Sequence, residues 1–164
     1  MRRGFVYLKP TRVLYVRAKG PYPTSAAAAW HGLVDWLARY GAENELRVGY
    51  GIARDDPAQV PAEDCRFEAC IEVPFGLEAA AAEDLAIQNL PGGPYARHCH
   101  TGSLDDISTA FTVQRARWAA ATGVTLDTRR PLVTLYLSHP LRNDKLRCDL
   151  CTPVASQSEQ SEAA

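Results

Sequence analysis

The 164-residue sequence has no apolar run approaching the roughly 20 residues that cross a bilayer, which excludes a helical membrane span. It has no excess of either charge. The 18 Lys and Arg against 19 Asp and Glu leave a net charge of −1, too little to draw the chain onto nucleic acid or a membrane. The N-terminal MRRGFVYLKP is basic but lacks a sustained apolar segment and a small-residue cleavage site, so no signal peptide is read and the cytoplasm is expected. Regular cysteine spacing is missing as well: five cysteines without an export signal are expected to be thiols. Cys148 and Cys151, like Cys65 and Cys70, have odd separations within predicted strands, so each pair points to opposite faces and no metal site is expected. Arg115, Arg117, Arg129 and Arg130 are scattered and carry no interleaved aromatics, so they read as a solvated face. No cofactor is expected.

What the sequence does have is a repeat. Gly20 and Gly102, Trp36 and Trp118, and Gly41 and Gly123 are each 82 residues apart (102−20, 118−36, 123−41). So long a period, seen twice, argues two similar halves in one domain rather than a solenoid. The first half reads as strands at 4–8 and 12–18, a helix at 24–40, and strands at 47–54 and 65–73. Ala26, Trp30, Leu33, Val34 and Leu37 form the helical stripe, with Trp36 and Tyr40 at its edge and His31, Asp35 and Arg39 opposite. Gly41 is a helix stop. Along 65–73, Phe67, Ala69, Ile71 and Val73 face one way and Arg66, Glu68, Cys70 and Glu72 the other. An Ala- and Glu-rich link at 76–84 is left unassigned. The second half repeats the order, with strands at 85–90 and 95–100. A helix follows, opened by a Ser103 and Asp106 capping box and striped by Leu104, Ile107, Phe111 and Trp118, and then come strands at 132–138 and 145–151. The fold class expected is α+β: an antiparallel sheet of about eight strands with two main helices about a pseudo-two-fold. A cleft on the axis between the halves is the expected ligand site. The domain is read as residues 1–154, with halves 1–75 and 85–154, and 155–164 as a disordered polar tail.

The stretches VRAKGPY at 16–22, AWHGLVDW at 29–36, GIARDDP at 51–57 and CRFEACIEVP at 65–74 carry a resemblance to a known family. So do LPGGPYARHCHTGSL at 90–104, VTLYLSHP at 133–140 and LRCDLCTPV at 146–154. Together they resemble the GyrI-like small-molecule-binding family, whose domain also serves as the effector-binding half of AraC- and MerR-type regulators. The resemblance implies two fused strand-helix-strand-strand modules and a pocket for lipophilic, often cationic, compounds. It also implies a pocket glutamate in a Phe-Glu-x-Tyr pattern. Here that stretch is Val133-Thr134-Leu135-Tyr136, so Thr134 stands at the glutamate position and Tyr136 at the tyrosine. Gly51 and Ala53 match these positions in the first half and leave room there.

Thr134 can hydrogen-bond but carries no charge, which weighs against a preference for cations and against a general base for hydrolysis. The expected ligand-binding residues are Tyr136, Thr134, Trp30, Phe111, Gly51, Ala53 and Glu68, the last fixing orientation beside Thr134; no catalytic residue is assigned. His98 and His100 share a strand face and read as surface or hydrogen-bonded groups. The expected function is stand-alone binding of a small lipophilic or amphipathic molecule, by a regulator or a drug-sequestering protein, without direct DNA binding or membrane attachment. Hydrolysis of an electrophilic toxin in the same cleft is the alternative. So is a surface contact with a protein such as gyrase or a regulator.

Overall fold

The computed structural model describes residues 3–142 and 145–156; the expected tail lies outside them from residue 157 on. The strands are β1 (Arg3–Leu8), β2 (Thr11–Lys19), β3 (Gly49–Ala53), β4 (Arg66–Glu72), β5 (Ala86–Leu90), β6 (Gly93–Gly102), β7 (Leu132–Tyr136) and β8 (Leu146–Pro153). The helices are α1 (Tyr22–Arg39), α2 (Glu78–Asp84) and α3 (Ile107–Ala119). The strands form one antiparallel sheet in the order β1-β6-β8-β7-β3-β4-β2-β5. The α+β class, the eight strands and the pseudo-two-fold are as expected from sequence. The two halves meet where β3 pairs with β7, with Gly51 opposite Thr134 and Gly49 opposite Tyr136.

One feature of the topology was not expected. The opening strand of each half pairs with the other half: β1 with β6, and β5 with β2. The halves are thereby laced together at both sheet edges as well as along the central seam.

The sheet has a core on each face. On one, Ala26, Ala29, Trp30, Leu33 and Leu37 of α1 share a core with Leu14, Phe67, Ala69, Ile71, Tyr136 and Leu150 of the sheet. Burial of this stripe is the main force holding α1 in place. On the other face, Leu8, Val13, Ile52, Cys70, Leu90, Tyr95, Val133 and Cys151 form a second core. Leu8 and Leu90 belong to opposite edge strands, so their shared cluster requires the sheet to curl. The cysteine pairs split between the cores as strand alternation requires: Cys65 and Cys148 lie in the first, Cys70 and Cys151 in the second.

Arg130 holds the curled edge. It donates to the carbonyls of Gly92 (3.1 Å), Pro94 (2.8 Å) and Val154 (2.7 Å) and to Asp127 (2.9 Å), with its guanidinium 4.7 Å from the Tyr95 ring centroid. This is a fork-shaped donor used at nearly full capacity, a role that a lysine cannot copy. It is not the solvated face expected of it from sequence.

Trp36, expected at the stripe edge, is fully buried. The reason is α2, the unassigned Ala- and Glu-rich link. Asp84 at its end accepts from the Trp36 indole N–H (3.0 Å) and from the Tyr40 hydroxyl (2.7 Å). Gly41 ends α1 at φ +62, a backbone region that costs glycine nothing. The Ser103–Asp106 capping box is formed; the turn it caps is 3-10, at Leu104–Asp106, before α3 begins.

Candidate functional site

The face bearing the helices is not filled completely. Between α1 and α3, over the β3–β7 seam, lies a cleft of about 590 Å³, part of it open to solvent. Its walls come from both halves. Tyr22 and Ala26 stand on α1, and Ile107, Ser108, Phe111, Thr112 and Arg115 on α3 or its first turn. The floor is Ala53, Phe67, Leu132, Thr134 and Tyr136. The mouth is Asp55, Asp56 and Pro57 in the β3–β4 connection.

Strand alternation explains the floor. Thr134 and Tyr136 are two residues apart on β7 and so share a face. Both are almost fully buried, at 2% and 1% exposure. The Tyr136 hydroxyl has no hydrogen-bond partner among the described residues. Burial pushes this phenol well above the ordinary tyrosine range; the nearby Trp30 indole N–H, itself without a hydrogen-bond partner among the described residues, pulls the other way less strongly. Tyr136 is therefore a neutral donor at any physiological pH, and an orphaned one, which costs stability.

Gly51 explains why the floor is low enough. A Cβ there would come within 2.8 Å of Phe67 Cζ and 2.9 Å of Tyr136 Oη. Gly49 similarly admits the Trp30 ring, whose Cη2 would lie 2.5 Å from an added Cβ. These glycines let three aromatic rings, Phe67, Tyr136 and Trp30, lie close over the seam.

Two interactions tie the mouth to the helices. The Tyr22 hydroxyl donates to the Asp55 carbonyl (2.7 Å) and accepts from the Asp55 N–H (2.9 Å), binding the connection to α1. Arg115 on α3 donates to the Asp56 carboxylate (2.9 Å), binding it to the second half. The Asp55 carboxylate takes the Arg66 side chain and backbone N–H, and the hydrogen bonds from Arg66 hold its pKa below the usual range.

Of the residues expected from sequence, Tyr136, Thr134, Phe111 and Ala53 line the cleft. Trp30 and Gly51 do not line it but support it. Trp30 is fully buried and packs edge-on against Tyr136; Gly51 lies beneath Phe67 and Tyr136. Glu68 lies elsewhere. It alternates onto the opposite face, where it accepts from Arg17, from Arg54 (2.9 Å) and from Gln88 (2.8 Å). Burial alone would raise this carboxyl, but Gln88 and the two arginines outweigh it and hold the pKa low. The structure thus corrects the expectation that Glu68 orients a ligand beside Thr134: its lone pairs are spent on a buried ion cluster. Of the two readings given for His98, surface or hydrogen-bonded, the structure removes the first: it is buried on β6.

Sequence reasoning missed the mouth. Asp55-Asp56-Pro57 signalled only a turn, and Arg115 only a solvated face. Their partnership spans 59 residues and leaves no local trace. A second cleft of about 450 Å³, part of it open to solvent, adjoins the first, and its lining too is drawn from residues far apart in sequence.

A family model described as GyrI-like small molecule binding domain matches residues 4–155. A DNA gyrase inhibitor from Pantoea sp. (strain At-9b) is 25% identical over 139 residues, covering 84% of this chain and 88% of that one. The probable transcriptional regulator YgiV of Escherichia coli (strain K12) is 33% identical over 111 residues, 65% of this chain and 66% of its own. Among solved structures, SAV2435 bound to tetraphenylphosphonium matches with a TM-score of 0.61 at 10% identity, covering 100% of both chains. The C-terminal domain of EcmrR matches with a TM-score of 0.64 at 13% identity, over 94% of this chain and 98% of that one. At such identities the two structures show a shared fold alone. The match of the family model over almost the whole described chain is decisive, and the protein belongs to the GyrI-like small-molecule-binding family.

Proposed function

We propose that the cleft over the β3–β7 seam binds a lipophilic or amphipathic small molecule, in the service of regulation or of sequestering the compound in the cytoplasm. The observation that carries this reading is the Tyr136 hydroxyl: a buried donor without a partner, on the floor of an apolar cleft. Folding around an unsatisfied donor costs about 1–3 kcal/mol, and a ligand acceptor recovers it. Phe111 and Phe67 supply apolar contact surface, and Thr134 a second polar atom. SAV2435, which shares the fold, is bound to tetraphenylphosphonium, a bulky lipophilic cation, and this supports small-molecule binding by the fold. An uncharged floor favours neutral ligands over cations here.

The carboxylates lining the cleft are Asp55 and Asp56, both at the mouth and both engaged by arginine. Neither is placed as a general base at the floor, so binding is favoured over hydrolysis. The Pantoea relative's description as a gyrase inhibitor motivates a protein arm in the test. Thermal-shift measurements against neutral hydrophobes, lipophilic cations and gyrase separate the possibilities. Stabilisation by neutral hydrophobes supports the proposal. Stabilisation by gyrase alone overturns it.

A further inference from the structure

The second cavity shares Ala53, Asp55, Asp56, Arg115 and Leu132 with the first. The two are neighbours, with the Arg115–Asp56 ion pair in the lining of both. Their chemistry differs. The first is walled by aromatics and aliphatics. The second is bounded by Arg54, Asp127, Thr128, Arg130 and Thr152, with Leu126, Pro131 and Pro153 between them.

The charges of the second compartment are already matched within the protein. Asp127 takes Arg129 and Arg130, Arg54 is held by Glu68, and Asp56 by Arg115. A charged ligand group would have to break one of these pairs and leave its partner uncompensated. What is unmatched is a hydroxyl. Thr152 is 2% exposed, lines the cavity, and its Oγ1 has no hydrogen-bond partner among the described residues. The compartments thus hold one orphaned hydroxyl each, Tyr136 in the apolar one and Thr152 in the polar one.

We infer that the ligand is a two-part amphipath: a largely apolar body in the first compartment, bearing the acceptor for the Tyr136 hydroxyl, and an uncharged, hydroxylated head in the second, hydrogen-bonded to Thr152. The head sits between polar side chains and the flat flanks of Pro131 and Pro153, a mixed surface suited to a sugar or polyol. The inference rests on the cleft-binding reading above and specifies the ligand class.

The test compares four compounds with the same eight-carbon tail by titration calorimetry, each below its micelle concentration. They are octyl β-glucoside, 1-octanol, octyl sulfate and octyltrimethylammonium. The glucoside is expected to bind at least about tenfold tighter than each of the others, one or two hydrogen bonds' worth of selectivity. Thr152→Val is expected to bring the glucoside to the level of octanol while leaving octanol unchanged, and Thr152→Ser to retain glucoside binding. Octanol binding as tightly as the glucoside, a charged head binding tightest, or Thr152→Val shifting all binders equally or none overturns the inference and leaves the cleft reading standing. Binding of none of the four overturns the inference; if the thermal-shift panel is also silent, the cleft reading falls with it.

Discussion

Trp30 of the first half meets Tyr136 of the second edge to face, with ring centroids 5.0 Å apart and planes at 80°. The contact crosses the seam between the halves and fixes the ring that carries the orphaned hydroxyl. Such a pair contributes about 0.5–1.5 kcal/mol beyond the area it buries. It also means that Trp30 affects the cleft without lining it.

Tyr136→Phe keeps the ring and removes the hydroxyl. Without ligand, the variant is expected to melt at the same temperature as the wild type or higher, because a buried group without a partner is removed. Its affinity for a hydrogen-bond-accepting ligand is expected to fall about tenfold. Thermal denaturation with and without ligand reads both effects. A lower melting temperature in the free protein would mean that the hydroxyl has a structural partner.

Gly51→Ala places a methyl 2.8 Å from Phe67 and 2.9 Å from Tyr136. Both rings lie on the cleft floor and have to move. A loss of about 1–3 kcal/mol in denaturant unfolding is expected, with weaker ligand binding. Full stability together with full binding would show that the floor is softer than its packing implies.

Glu68→Ala leaves Arg54 and Arg17 facing an empty position on the far side of the sheet. Because both arginines reach partly into solvent, the expected loss is about 2–3 kcal/mol, at the lower end for a broken buried pair. Affinity for a compound confined to the first cleft, whose lining includes neither Glu68 nor Arg54, is expected to be unchanged where the variant is folded. A selective loss of binding at full stability would return Glu68 to the site.

Acid sensitivity is expected at Asp127. Burial alone would raise this carboxyl, but hydrogen bonds from Arg129 and Arg130 bring it down to about 2 from an ordinary 3.8. The folded protein holds this proton less tightly than the unfolded chain. The stabilisation is therefore complete above the ordinary value and is lost as pH falls from about 4 through about 2. Asp127→Asn is expected to lower stability by about 1–2 kcal/mol at neutral pH and to flatten the stability curve below about pH 4. Unfolding midpoints at pH 7 and pH 3 check this; an equal loss at both pH values contradicts the assignment.

Much of the fold was legible because it rests on local signals repeated at one offset. The helical stripe of α1, the alternation in β4 and the capping box before α3 each declare themselves within a few residues. The exchange of β1 and β5 between the halves was not legible, since nothing in the six residues of β1 or the five of β5 says which distant edge they pair with. Trp36 was misjudged because its burial depends on Asp84, 48 residues away. The cleft floor was legible from the spacing of Thr134 and Tyr136 on one strand. Alternation alone already set Glu68 on the face opposite Phe67, and its structural role follows from that. The mouth was hidden, because Asp56 and Arg115 meet only in the folded molecule.

The most direct measurement is a calorimetric titration of the best neutral ligand into wild-type protein and Tyr136→Phe. Saturable one-to-one binding to the wild type, weakened about tenfold in the variant, is the expected result. Equal affinity in the two proteins would contradict the claim that the Tyr136 hydroxyl awaits a ligand.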